Sequence, residues 1–229
     1  MKALVTILMS VLMAMSAIGK TKDEKAKEFE GTIKYAISVE GIEDIEAAFA
    51  MLPETMSEIF IKSANGKGVF SIMGVTKIYY DKNQMILNMD LSMLGIGTFC
   101  IPAPIEEGGN ETPSWKISKK SDKKILGYKA YKVTLADSID FWVSKDYYLN
   151  FNVQQNGVYY LPLEFDIENN GMKIHLTAKE VSLDKPKNEE VEAPKDCNYT
   201  TMEEFQEMME EMGEGLMPEE DLDLEEDEE

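Results

Sequence analysis

Arginine is missing altogether: each of the 23 basic residues in this 229-residue chain is a lysine. Without the planar guanidinium fork there is no donor for bidentate recognition of phosphate, carboxylate or guanine, and nucleic acid is not expected as a partner. Histidine is almost as scarce. His175 is the single one, and the alternation around it places it on a polar strand face between Lys173 and Thr177, which argues for a surface role and against a Ser-His-Asp site. A zinc site would have to be assembled from Cys100, Cys197, His175 and a carboxylate, without the close paired spacings that such sites use. Long apolar runs are also absent. The stretch Ala3 to Met15 falls short of the roughly 20 residues that a bilayer crossing needs, and no later segment reaches that length. Nor is there a glycine-rich phosphate loop, since Gly95-Ile96-Gly97 lacks a third glycine and a following helix.

What is present begins with a leader. Lys2, the apolar stretch Ala3 to Met15 and the small residues Ser16, Ala17 and Gly19 have the three-part layout of a secretory signal peptide, so residues 1–19 are expected to be removed and the mature chain to start at Lys20. No cysteine lies near the cleavage point to carry a lipid. The expected location is therefore periplasmic or otherwise exported, with a soluble mature protein. Export implies an oxidising compartment, in which Cys100 and Cys197 can form one disulfide or stand as two separate buried thiols. The charge is unevenly distributed: Glu203 to Glu229 holds 15 acidic residues and no basic ones, leaving only -5 of the net -20 for everything before it. The acidity is local.

Along the chain, Lys20 to Glu28 reads as a charged leader packed against nothing. From Phe29 the pattern has period two, with Ile33, Tyr35, Ile37 and Val39 on one face of a strand. Ile42, Ile45, Phe49 and Leu52 recur at helical spacing up to Pro53. A meander follows: Glu58 to Ser63, the hairpin signal Asn65-Gly66, Val69 to Met73, Thr76 to Asp81, a turn at Lys82-Asn83, and Gln84 to Met93 with Met85, Leu87, Met89, Leu91 and Met93 on one face. Pro102 to Pro113 reads as a loop. Strands are then expected at Ser114 to Lys119, Lys129 to Leu135 and Ile139 to Ser144, with a polar turn at Ser121 to Lys124. Tyr159 to Ile167 and Met172 to Leu183 flank a hairpin connection at Glu168 to Gly171. Pro186 to Pro194 is a charged linker, and Thr200 or Thr201 caps a helix whose stripe is Met202, Phe205, Met208, Met209 and Met212, ended by Gly213 and Gly215. The remainder to Glu229 is too charged to fold alone.

Candidate chemistry is thin. Glu164 and Asp166 lie two apart on one strand face, where a solvated pair is the ordinary reading. The alternating Asp221, Asp223 and Glu225 lack the bending glycine and closing glutamate of a calcium loop. No catalytic residue, cofactor or metal is expected. Methionine is the unusual feature, because unbranched thioether chains adapt to varied apolar shapes.

Several blocks of residues occur in a recognisable order: Gly127-Tyr128-Lys129-Ala130-Tyr131-Lys132, Phe141-Trp142-Val143-Ser144-Lys145-Asp146, Leu161-Pro162-Leu163-Glu164-Phe165, Gly171-Met172-Lys173 and Ala193-Pro194-Lys195 ahead of Met202-Glu203-Glu204-Phe205. The sequence thereby resembles an uncharacterised family of exported bacterial proteins that is similar to the outer-membrane lipoprotein carriers. The resemblance spans about Phe29 to Met212. It implies a half-open antiparallel barrel with helices over its concave side, and no functional residues to transfer.

The expected fold is α+β and mainly antiparallel: one strongly curved sheet or half-open barrel over residues 29–212, covered by helices. The expected function is non-catalytic binding or carriage of a lipid or other apolar ligand in the concave face, lined by Met85, Leu87, Met89, Leu91, Phe141 and Trp142. At about 0.8 kcal/mol per buried CH2, a sixteen-carbon chain would gain on the order of 12 kcal/mol gross. The alternative is an envelope protein–protein interaction module with a filled core and an acidic C-terminal tail.

Overall fold

A computed structural model describes residues 26–39, 58–72, 74–81, 84–103, 115–135, 139–149, 159–169 and 172–215. The signal-like leader, the helix expected before Pro53, the turn at Lys82-Asn83, most of the loop after Pro102 and the end of the acidic tail lie outside these residues.

The described strands are β1 (Lys27–Glu28), β2 (Gly31–Val39), β3 (Ile59–Ala64), β4 (Lys67–Ile72), β5 (Thr76–Tyr80), β6 (Met85–Asp90), β7 (Thr98–Ala103), β8 (Trp115–Ile117), β9 (Lys123–Ile125), β10 (Tyr128–Leu135), β11 (Ile139–Leu149), β12 (Tyr159–Asn169), β13 (Met172–Ser182) and β14 (Asn198–Tyr199). Two helices, α1 (Asn188–Val191) and α2 (Met202–Gly215), flank β14. All the strands join one sheet in the order β14-β7-β6-β5-β4-β3-β2-β13-β12-β11-β10-β8, with β9 beside β10 and β1 parallel to β11.

Alternation explains how this sheet is built. One row of apolar side chains crosses its first half through the registered partners Val181, Ile33, Ile61, Phe70, Ile78, Leu87 and Ile101. A second row, Ile37, Leu176, Phe165, Phe141, Val133 and Ile117, crosses the other half. Both rows belong to one core cluster on what we call the main face. Two tight turns use left-handed backbone: Asn65-Gly66 at φ 55° and 72°, and Leu126-Gly127 at φ 50° and 84°. Positive φ at both central positions is the signature of hairpin turns whose twist matches the flanking strands. The expected polar turn at Ser121 to Lys124 is thus displaced, and its last residues form β9.

The half-barrel expectation is overturned. The sheet neither closes nor curls strongly; strand makes up 62% of the described residues and helix only 12%, in two helices, so there is no helix-covered half-barrel. Closure would require the β14–β7 edge to meet the β8–β9 edge, and no pairing among the described residues joins them. Alternation assigns side chains to faces but carries no information on curvature, which bulges and pairing geometry create. The outer face of the first half is also packed rather than left as the convex outside of a barrel. Residues 187–199 run across it as a strap, and Val191, Ala193 and Cys197 close a second cluster with Ala64, Val69, Tyr79, Ile86 and Cys100. The expected linker therefore carries α1 and contributes to the core. Salt bridges from Lys62 to Glu190 at 2.5 Å and from Lys67 to Glu192 at 2.6 Å pin one end of the strap. A Cys100–Cys197 disulfide, Cα atoms 5.7 Å apart, pins the other.

The chain then turns around the β7 edge. Thr201 accepts a hydrogen bond from the Glu204 amide at 3.1 Å while its own amide donates to Glu204 Oε2 at 2.9 Å, a reciprocal cap that starts α2. Phe205, with Met202, Met208 and Met209, then packs on the main face.

Further expectations are corrected. Lys27 and Glu28 pair with Tyr147 and Tyr148, so the end of the leader is anchored. Strand β6 stops at Asp90, and Met93 falls in a 3-10 turn with 73% of its surface exposed. Strand β7 was not expected, because Pro102 suggested a loop; the proline is tolerated beyond the short β14 pairing, where no partner needs its missing N–H.

Candidate functional site

The residues expected to line a cavity divide between the two faces. Met85, Leu87, Met89, Leu91 and Phe141 belong to the main-face cluster, and Leu87, Met89 and Phe141 are each only 2% exposed. A ligand-sized hollow beside them would leave their surfaces open to a water-sized sphere, so these side chains are in contact with protein. Neighbouring strand residues point to opposite faces, and Trp142 stands across from Lys132 and Glu164 on the outer face, partly buried and also packed against the cluster that holds Phe141.

That outer face, over β9 to β13, carries a ladder of charge around Trp142. Lys123 Nζ lies 4.0 Å from the Trp142 ring centroid and Lys132 Nζ 6.0 Å from it. Lys123 pairs with Glu164 at 2.5 Å, Lys132 with Asp140 at 2.7 Å and Lys173 with Asp166 at 2.8 Å. Thr134 donates to the other Asp140 oxygen at 2.6 Å. The lysine hydrogen bond, followed by that of Thr134, holds the Asp140 carboxyl below its ordinary pKa. For Asp166 burial is the largest influence and acts upward, but hydrogen bonds from Lys173 and His175 and their charges together outweigh it, and the carboxyl titrates below its usual range.

His175 sits within this ladder. Its Nδ1 is 2.5 Å from Asp166 Oδ1, its Nε2 is 3.0 Å from Thr177 Oγ1, and Glu164 Oε1 lies 3.8 Å from the same Nε2. Carboxylate, imidazole and hydroxyl thus stand in the order of a nucleophile relay. What acyl transfer also requires is a pair of backbone N–H groups aimed at a developing oxyanion. Strand β13 lies between β12 and β2, and the ladders on its two sides use its amides. The arrangement holds the imidazole in place and balances charge on an open sheet face.

Period-two reading had placed Glu164, Asp166, His175 and Thr177 on polar faces. The approach of Lys123 and Lys132 to Trp142 had no linear signal, because it joins three separate strands. Among the described residues no group of His, Cys, Asp and Glu could hold a metal ion. No helix among them is long and apolar enough to cross a membrane. Neither a protein-family model nor a curated protein matches the chain.

Proposed function

We propose that the protein is an exported, non-catalytic interaction module of the cell envelope, engaging a protein partner through the outer face of β9 to β13 together with the acidic C-terminal segment. The observation that carries this reading is the packed state of the main face, where Leu87, Met89 and Phe141 are each 2% exposed. Export is supported by the signal-like leader and by the Cys100–Cys197 disulfide, a bond that persists in oxidising compartments. Met202, Phe205, Met208 and Met209 of α2 are occupied within the protein's own core, so over these residues α2 offers a partner its charged side. On the outer face, a half-buried tryptophan among alternating charges combines a large apolar anchor with groups that set register and discriminate between partners.

The test is crosslinking of the mature chain in isolated envelopes, comparing wild type, Trp142→Ala and a chain ending at Gly215. A specific adduct weakened by both changes supports the reading. An adduct indifferent to both refutes it.

Carriage of an apolar ligand is a second reading with one observation in its favour. Met85, Leu87, Met89, Leu91 and Phe141 share the main face, and α2 lays Met202, Met208 and Met209 on it, flexible side chains that a guest molecule could displace. Native mass spectrometry of gently purified protein decides this: stoichiometric lipid favours carriage, and a bare chain that also ignores a fluorescent fatty acid excludes it.

A further inference from the structure

Between its two anchorages the strap does not lie flush on the sheet. It leaves a cleft of about 180 Å³ lined by Tyr79, Gln84 and Ile86 from the sheet side, Val191 and Tyr199 from the strap, and the Lys67–Glu192 pair. Tyr79 is the informative residue. Only 9% of its surface is exposed, and no group among the described residues hydrogen-bonds it. Its hydroxyl is nevertheless not among the sealed, unsatisfied polar atoms; that condition falls on Ser71 Oγ. The Tyr79 hydroxyl therefore keeps some contact with solvent, and Tyr79 is one of the residues that line the cleft. Burial still raises its pKa. Gln84 and Tyr199, the latter 55% exposed, line the same cleft, and among the described residues no group hydrogen-bonds either side chain.

These features limit the occupant. The volume lies below the roughly 300 Å³ at which drug-sized sites begin, so a single ring fits and a chain does not. A purely apolar ring would leave the Tyr79 hydroxyl and the Gln84 amide unsatisfied. An anion would face the Glu192 and Asp81 carboxylates, and a cation would face Lys67, whose ammonium already hydrogen-bonds Glu192 and feels the Asp81 charge. A neutral polyol ring meets every condition, with hydroxyls toward Tyr79, Gln84 and Glu192 and one C–H face against Tyr199. We propose that this cleft is a binding site for one pyranose-sized sugar ring. It is separate from the outer face of β9 to β13. Its shape is preset, because the disulfide at Cys197 lies two residues before Tyr199.

The experiment titrates the mature, oxidised protein with methyl glucoside, methyl galactoside and N-acetylglucosamine, following tyrosine NMR signals. Glucuronate, glucosamine and indole serve as charged and apolar controls. The proposal expects saturable millimolar binding of at least one neutral sugar. Tyr79→Phe, which keeps the ring and removes only the hydroxyl, should weaken it on the order of fivefold, the scale of one hydrogen bond, with an unchanged circular dichroism spectrum and melting temperature. Tyr199→Ala should weaken it further. The proposal is overturned if no neutral sugar saturates by 50 mM, if a charged or apolar control binds more tightly, or if both variants bind as the wild type does.

Discussion

Reduction of the Cys100–Cys197 bridge should cost this protein a large part of its stability. The bridge closes a segment with a sequence separation of 97. In the chain-entropy description, a loop of that length removes about 4.7 kcal/mol of unfolded-state freedom at 25 °C. The native state gives little reason for that gain to be lost to distortion, since a Cα separation of 5.7 Å is ordinary for a disulfide. Reduction also leaves the site filled. Cys100 is fully buried, and Asn88 Nδ2 donates to both sulfurs at 3.5 Å and to the Phe99 carbonyl at 3.2 Å, contacts that two thiols can keep. The loss should therefore come mainly from the unfolded ensemble. Urea unfolding with and without reductant, followed by circular dichroism, measures it. The expected result is a fall of about 4 to 5 kcal/mol, equivalent to roughly 10 to 20 °C in melting temperature, together with a larger denaturant slope as the released chain expands. A fall below about 1 kcal/mol with an unchanged slope would refute the reasoning.

Three other outcomes follow from the packing and charge. Phe205 is 1% exposed and meets Phe99 edge-on with ring centroids 5.5 Å apart, so Phe205→Ala should cost about 3 to 5 kcal/mol in urea unfolding; a cost under about 1 kcal/mol would mean that α2 does not hold the main face. A Cβ on Gly31 would run into the Ser182 carbonyl oxygen and crowd the Phe29 ring, so Gly31→Ala should lower the melting temperature markedly; Gly127→Ala meets open space but must hold φ +84°, so it should lower the melting temperature through backbone strain alone, by less than Gly31→Ala. Asp166 titrates below its ordinary range in the folded chain, so its contribution is present above the unfolded carboxylate value of about 3.9 and is lost as pH falls through the folded value. The difference in urea midpoint between wild type and Asp166→Asn should therefore be widest near neutral pH and shrink as pH falls below the unfolded carboxylate value and through the lower folded one; a difference independent of pH would show that Asp166 acts through shape and not charge.

The parts of the fold legible beforehand were those written in local periodicity. Strands β2, β12 and β13 were readable from alternating residues, the Asn65-Gly66 turn from its residue types, and α2 from a threonine cap followed by apolar positions at helical spacing. Strand β7 escaped because Pro102 is a breaker in a sequence window and harmless at its actual position beside a two-residue partner. Met85, Leu87, Met89, Leu91 and Phe141 lie in one buried cluster and Trp142 packs against it partly buried, while period two sets Trp142 on the opposite side of its strand from Phe141. The curled, helix-covered half-barrel came from the family resemblance together with the count of strands and helices, and neither source contains the pairing geometry from which curvature arises.

Local chemistry, then, determined which residues become strand, turn or helix and which side of each strand is apolar, because those properties depend on neighbours one to four positions away. Only the assembled chain decided that the strands form one open sheet, that Cys100 meets Cys197, and that the strap stands off Tyr79. Those outcomes depend on contacts between residues far apart in sequence, whose cost and gain are set by chain closure and packing together.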